Sequence, residues 1–77
     1  MMKIKGANGE YEAEWELTYK GFVEITYYKL IPRRWSKTPK RKRYYETDMS
    51  QEWFSEKRVR DALLIREHWE NKIGLGA

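Results

Sequence analysis

A dense run of basic residues in the middle of the chain is the feature best suited to chemistry with a polyanion. Residues 33–43 read Arg-Arg-Trp-Ser-Lys-Thr-Pro-Lys-Arg-Lys-Arg, with seven basic side chains and no acidic one. Guanidinium groups bind phosphate through paired hydrogen bonds, and an aromatic ring among them can stack on sugars or bases. The candidate nucleic-acid contacts are Arg33, Arg34, Trp35, Lys37, Lys40, Arg41, Lys42, Arg43, Tyr44 and Tyr45.

The positive charge of the chain comes entirely from this region. Residues 1–31 contain four basic and five acidic side chains, and residues 48–77 contain five and six, so each part has a net charge of −1. Residues 32–47 contain seven basic and one acidic side chain, a net of +6 in a chain whose total is +4. Charge focused on one segment attracts polyanions, which favours a binding role for this segment. The alternative interpretation is that the segment is a solvated loop whose charge only keeps the protein soluble. We therefore predict a nucleic-acid partner, with DNA favoured over RNA.

A second charged surface is predicted from the run Glu-Tyr-Glu-Ala-Glu-Trp-Glu-Leu at residues 10–17. Strict alternation of glutamate with apolar residues places the two sets on opposite faces of a strand. Such an acidic face is usually exposed to water, but it also suits a basic protein partner. The alternative partner contacts are Glu12, Glu14 and Glu16, together with Trp53 and Leu64, which fall on the polar side of the predicted helix.

Catalysis is the function that the composition supports least. His68 is the only histidine and cysteine is absent, so neither a metal-binding set nor a nucleophilic triad can be assembled. The chain also has no glycine-rich phosphate loop. We expect no enzymatic activity, no cofactor and no metal.

The bulk composition is that of a soluble folded domain. The chain has 77 residues, of which 36% are charged and 16% aromatic, and we expect one domain over residues 1–77. Twelve aromatic rings supply most of the buried area that so small a core needs. No apolar run approaches the length of a membrane span, and the charged start does not resemble a secretory signal. A cytoplasmic location is expected.

The alternation predicts a hairpin and its register. Strands are expected at about 10–18 and 22–31. A three-residue loop over Tyr19, Lys20 and Gly21 lets their apolar residues share one face, whereas a two-residue loop does not. Gly21 then occupies the left-handed position of the loop. This register places Leu17 opposite Val23, Trp15 opposite Ile25, and Ala13 opposite Tyr27.

Two further strands complete the predicted sheet. A first strand at about 2–5 would place Lys3, Ile4 and Lys5 opposite Glu12, Tyr11 and Glu10. Pro32 is expected either to end the third strand or to lie at an edge of the sheet, because proline cannot donate to a ladder. Residues 36–40 are expected to form a loop, and residues 41–47 a fourth strand.

A C-terminal helix is predicted from about residue 50 to residue 73. Asp48 with Gln51 has capping-box spacing, and Ser50 is a second possible cap. Residues 74–77 are expected to form a tail. At 100° per residue, the apolar stripe expected to face the core contains Phe54, Val59, Ala62, Ile65, Trp69 and Ile73.

These elements predict an α+β fold, with a three- to four-stranded antiparallel meander followed by one helix packed on the sheet. The order of strands and helix resembles, in topology alone, small DNA-binding domains of the integrase arm-binding and plant AP2 types. The favoured function is that of a small nucleic-acid-binding accessory or regulatory protein of a phage or mobile element. The alternative is a small phage-type inhibitor or adaptor that binds a host polymerase, nuclease or CRISPR effector.

Overall fold

Four antiparallel strands form one sheet in chain order, and a single helix packs on one face of it. This computed structural model describes residues 1–73, so the predicted tail at 74–77 lies outside the described residues. The predicted α+β class and the order of elements are confirmed. The elements are β1 (Met2–Gly6), β2 (Gly9–Leu17), β3 (Phe22–Arg33), β4 (Ser36–Ser50) and α1 (Glu56–Ile73).

The β2–β3 hairpin has the predicted register. Leu17 pairs with Val23, Trp15 with Ile25, and Ala13 with Tyr27. Gly21 has a φ of 82° and donates its N–H to the Thr18 carbonyl at 3.1 Å. The left-handed glycine closes the loop as expected, because a Cβ is unfavourable at that φ.

The β1–β2 hairpin is also confirmed, with Ile4 opposite Tyr11 and the two lysines opposite glutamates. Gly6 and Gly9 are themselves paired, so the connection shortens to the two residues Ala7 and Asn8. Lys3 and Lys5 face Glu12 and Glu10 across this pair, where opposite charges stabilise a sheet.

The prediction of a loop at residues 36–40 was wrong, because β4 begins at Ser36. Of the two alternatives for Pro32, an end of the third strand was wrong, because β3 continues to Arg33, whereas an edge position was correct. Beyond Leu30, β3 pairs with β4 alone, so the missing N–H of Pro32 interrupts no ladder to β2. Pro39 lies in β4, the edge strand of the sheet, where proline is tolerated for the same reason.

The predicted helix start was wrong by six residues. Asp48 and Ser50 belong to β4, where they pair with Glu24 and Phe22. The helix begins at Glu56, and Ser55 caps it by accepting the Arg58 N–H at its hydroxyl oxygen, 3.2 Å away. The capping signal at Asp48 was overridden because strand pairing extends to residue 50.

The predicted buried face of the helix was partly wrong. The buried residues are Val59, Leu63 and Glu67, whereas Ile65 and Trp69 remain 57% and 53% exposed. At 100° per residue, the buried face is rotated by about a quarter of a turn from the predicted apolar stripe. The rotation follows from a buried carboxylate, Glu67, whose hydrogen bonds are described below.

The core lies between the helix and one face of the sheet. Tyr11 and Tyr27 place their hydroxyl groups in this core. The Tyr27 hydroxyl donates to the Val59 carbonyl at 2.6 Å. Trp15 is only partly buried and contacts Phe54, with 5.3 Å between ring centroids. The fully enclosed apolar residues are Ile4, Tyr11, Ala13, Val23, Ile25, Tyr27, Val59 and Leu63.

Candidate nucleic-acid interface

The β3–β4 hairpin extends beyond the rest of the sheet as a two-stranded projection. Pairing between β2 and β3 ends at Glu10 and Leu30, while β3 and β4 continue to Arg33 and Ser36. We call residues 31–40 the arm. Each of its residues is exposed except Pro39, which is partly exposed. The sequence-predicted contacts Arg33, Arg34, Trp35, Lys37 and Lys40 all lie in the arm.

An aromatic ring and a guanidinium form the tip of the arm. Arg34 and Trp35 are the two residues of the turn between β3 and β4. Trp35 is 89% exposed, and the Arg34 guanidinium carbon lies 5.3 Å from the centre of its ring. The tip therefore presents a flat apolar surface and a cation together. The ring can contact a base or sugar, and the cation can contact a phosphate.

Two lysines face each other at the base of the arm. Lys29 and Lys42 are register partners, and the Lys29 ammonium lies 6.0 Å from the Tyr11 ring centre, which places it on the helix side of the sheet. Like charges directly opposite each other in a sheet are destabilising, and a bound anion relieves the repulsion. Lys29 was missed in the sequence analysis, because only the register of β3 with β4 brings it beside the basic segment.

Arg41 and Arg43 point to the open face of the sheet, away from the helix. Arg41 Nη2 lies 2.7 Å from Glu14 Oε2, and Nε lies 3.3 Å from Glu12 Oε1. The hydrogen bond that Arg41 donates to Glu14 raises the pKa of Arg41. The Arg41 guanidinium stacks 4.1 Å from the centre of the Tyr28 ring. Arg43 pairs with Glu46 at 2.9 Å. Both cations are thus partly neutralised within the protein.

Tyr44 and Tyr45 turn towards the helix instead of the arm surface. Tyr27 pairs with Tyr45 but Tyr28 pairs with Arg43, so Tyr44 is the additional residue of a β-bulge. The Tyr44 hydroxyl donates to Glu70, and Tyr45 stacks on Tyr27 with 5.5 Å between ring centroids. Burial and the Glu70 hydrogen bond raise the pKa of Tyr44 to about 12. We therefore leave both tyrosines out of the contact surface.

Three acidic side chains lie together at the end of the sheet opposite the arm, whereas Glu10 lies near the base of the arm. Glu16 pairs with Glu24, and Glu24 pairs in turn with Asp48 on the next strand. Glu12 is 8% exposed beneath Arg41, so it is less accessible than the sequence analysis expected. The end of the sheet opposite the arm is therefore mainly acidic, whereas the arm carries four cations and no carboxylate.

The two apolar residues of the alternative protein-binding surface lie on different elements. Trp53 belongs to the turn before α1, where the Arg58 guanidinium lies 4.8 Å from the centre of its ring. Leu64 lies in the middle of α1, on the side away from the sheet. The helix thus exposes part of its apolar surface, as the sequence analysis allowed.

Glu67 is a buried carboxylate that no sequence pattern indicated. It is 2% exposed and accepts the backbone N–H groups of Ala7 and Asn8, at 3.0 and 2.8 Å, and the Tyr11 hydroxyl at 2.8 Å. These three hydrogen bonds replace the water that the carboxylate loses on burial, so Glu67 has a structural role. It joins the C-terminal half of α1 to the β1–β2 turn, close to the base of the arm.

Residues 1–73 hold no cluster of three metal-binding side chains, and their single helix is too polar to cross a membrane. Comparison of the chain with protein-family models, with curated proteins and with solved structures finds no significant match. The basis for a functional assignment is therefore the geometry of the arm.

Proposed function

We propose that this protein binds duplex DNA through the arm, as a small accessory or regulatory factor. The observation that carries the proposal is the projection of a basic two-stranded ribbon beyond the body of the protein. Eight basic residues and no acidic one occur between Glu24 and Glu46. Six of the eight, all but Arg41 and Arg43, take part in no ion pair within residues 1–73.

The shape of the arm favours DNA over RNA. The major groove of B-form DNA is about 12 Å wide and admits a two-stranded ribbon, whereas that of A-form RNA is too narrow for side chains to enter. An arm of two strands with exposed residues on both faces matches the wider groove. Binding of cellular nucleic acid would place the protein inside a cell.

Different parts of the arm have different tasks in this proposal. Arg33, Arg34 and Lys37 near the tip contact phosphates on either side of the groove, and Trp35 contacts sugars or base edges. Lys29 and Lys42 at the base extend the cationic track towards the helix. The carboxylates at the far end of the sheet are repelled by the phosphate backbone, so the protein approaches the duplex with the arm first.

Salt dependence of binding tests the proposal. The triple variant Arg33→Ala, Arg34→Ala and Lys37→Ala is compared with a control in which three cations elsewhere are removed, Lys3→Ala, Lys5→Ala and Lys20→Ala. On a labelled duplex, the slope of log K against log salt should decrease by about 0.9 for each phosphate that the arm variant no longer neutralises. The control should keep the wild-type slope. Absence of binding at low salt, or an equal decrease in both variants, contradicts the proposal.

The alternative function, inhibition or adaptation of a host nucleic-acid-processing enzyme, has less support. Two of its three candidate glutamates, Glu12 and Glu14, are already paired with Arg41. It would be favoured if the protein captured such an enzyme while failing to shift DNA at any salt concentration.

A further inference from the structure

The two sides of the sheet differ in free charge at the base of the arm. Lys29 and Lys42 are register partners on the helix side, and Lys40 lies two residues from Lys42 on the same side of β4. No ion pair within residues 1–73 includes any of these three lysines. Arg41 and Arg43 lie on the open side, where each is paired with a carboxylate. The unpaired cations at this level of the arm are therefore on the helix side.

The C-terminal half of α1 stands beside these lysines. Lys29 lies against the β1–β2 turn, since a Cβ at Gly9 would be 3.5 Å from the Lys29 Cε atom. The preceding residue, Asn8, exchanges two side-chain hydrogen bonds with Asn71 of α1, at 3.1 and 3.2 Å. Because the arm continues beyond α1, a concave angle forms between them. We call this angle the corner, lined by Lys29, Lys40, Lys42, Asn8 and Asn71.

The corner has the hydrogen-bond donors that a phosphate group needs. Each side-chain amide of the pair between Asn8 and Asn71 uses one of its two N–H bonds, so one donor remains on each exposed residue. Phosphate oxygens accept hydrogen bonds from lysine and from neutral amides alike. Lys29 and Lys42 repel each other across the strand pair, and an anion between them relieves that repulsion.

The carboxylates near the corner already have partners. The C-terminal half of α1 carries Glu67, which is buried, and Glu70, which accepts hydrogen bonds from Tyr44 and from Arg66. The Arg66 guanidinium also balances the charge of Glu70 at 3.0 Å. Lys72 in the last turn offsets the negative end of the helix dipole. The corner is therefore suited to an anion in spite of these two glutamates.

We propose that the corner holds the phosphate backbone of one DNA strand, with α1 lying alongside it. This inference rests on the proposed function and adds the side from which the duplex is contacted. From Lys29 to Arg34 the arm rises by about 17 Å, whereas the major groove is about 8.5 Å deep. When the tip reaches the base edges, the base of the arm stands just outside the groove. Its long lysine side chains then reach the phosphates at the rim.

The first test compares the two sides of the arm at equal charge. Lys29→Gln/Lys42→Gln is the corner variant, and Arg41→Gln/Arg43→Gln is the matched control on the open side. On a labelled duplex, the slope of log K against log salt should decrease by about 0.9 for each phosphate that the corner variant no longer contacts. The control should keep the wild-type slope, because its cations are already paired within the protein.

Thermal melting shows whether weaker binding reflects unfolding. The corner variant should melt at or above the wild-type temperature, because it removes two like charges that face each other. A corner variant with the wild-type slope overturns the inference, as does an equal loss in the control. If the tip variant Arg33→Ala/Arg34→Ala/Lys37→Ala still reduces the slope in that case, the proposed function stands without the corner. Absence of DNA binding by the wild-type protein overturns both.

The second test addresses the contact of α1 through a neutral donor. Asn71→Ala should weaken binding by about five-fold at every salt concentration, the value of one net hydrogen bond, and should leave the slope unchanged. Gln51→Ala is the control, since Gln51 is an exposed amide beside Gly21, at the end of the sheet opposite the arm. Circular dichroism confirms that both variants are folded. Wild-type affinity in Asn71→Ala, or the same loss in Gln51→Ala, removes α1 from the contact and overturns the inference.

Discussion

Glu67 and Tyr11 lie 56 positions apart in the chain, yet the Tyr11 hydroxyl donates to the Glu67 carboxylate at 2.8 Å inside the protein. This bond decides which side of α1 faces the sheet. Burial and the neighbouring carboxylate raise the pKa of Tyr11, so its hydroxyl remains a donor across the physiological range. The carboxylate needs donors, and the β1–β2 turn and Tyr11 provide them at the sheet surface.

Glu67→Gln should reduce the free energy of unfolding by about 1.5–3 kcal/mol, the range of hydrogen bonds to a charged group. The amide that replaces the carboxylate presents its own N–H₂ group to backbone donors that need an acceptor. Urea denaturation measures the loss. Glu52→Gln, in the exposed turn before the helix, should change stability by less than about 0.5 kcal/mol.

Gly6→Ala should also destabilise the fold, because a Cβ at Gly6 would overlap the Glu67 carboxylate. We expect a cost of about 1–3 kcal/mol, typical of overpacking. In a Glu67→Ala background the same substitution should cost much less. A double-mutant cycle by urea denaturation measures this coupling, and additive effects would contradict the close contact.

Gly21 provides a test of backbone conformation alone. Its φ is 82° and a Cβ there would meet open space, so Gly21→Ala should cost about 1 kcal/mol through strain without steric overlap. Gly21→Val should cost more, because β-branched residues fit the left-handed region poorly. Lys20→Gly should cost less than either. Denaturation midpoints that rank Lys20→Gly as the most damaging would contradict the loop.

Alkaline pH should weaken the packing of the helix on the sheet through Tyr44. Its pKa rises from 10.0 to about 12 on folding, so the unfolded chain loses the proton first. The contribution of this group is therefore fully present below pH 10 and is lost as the pH rises to about 12. Tyr44→Phe should flatten the fall in stability over this interval. Urea midpoints across the alkaline range, with tyrosinate absorbance in parallel, measure it.

Releasing Arg41 from its carboxylates should strengthen DNA binding. Glu14→Gln removes the nearer partner of the guanidinium, so the salt slope should increase by up to about 0.9, the value for one further neutralised phosphate. Glu24→Gln removes the same charge without contacting Arg41 and is the control. A larger gain from Glu24→Gln would mean that net charge alone governs binding.

The sheet was largely predictable from local pattern. Alternation in β2 and β3 excludes a two-residue loop and permits a three-residue loop that keeps both apolar sets on one face, and Gly21 satisfies the turn that this loop requires. The registers of both N-terminal hairpins follow from the same requirement that the apolar residues of paired strands share one face. The basic segment was equally evident from composition, because charge is a property of the residues themselves.

Tertiary structure decided the features that connect distant residues. The apolar stripe of α1 predicted one buried face, but the hydrogen-bond requirement of Glu67 selected another and left Ile65 and Trp69 outside. The pairing of β4 with β3 converted a predicted loop and helix cap into strand, and it brought Lys29 opposite Lys42. Periodicity reports only how apolar side chains are spaced, whereas the buried polar groups of a fold must also find partners, and those partners lie elsewhere in the chain.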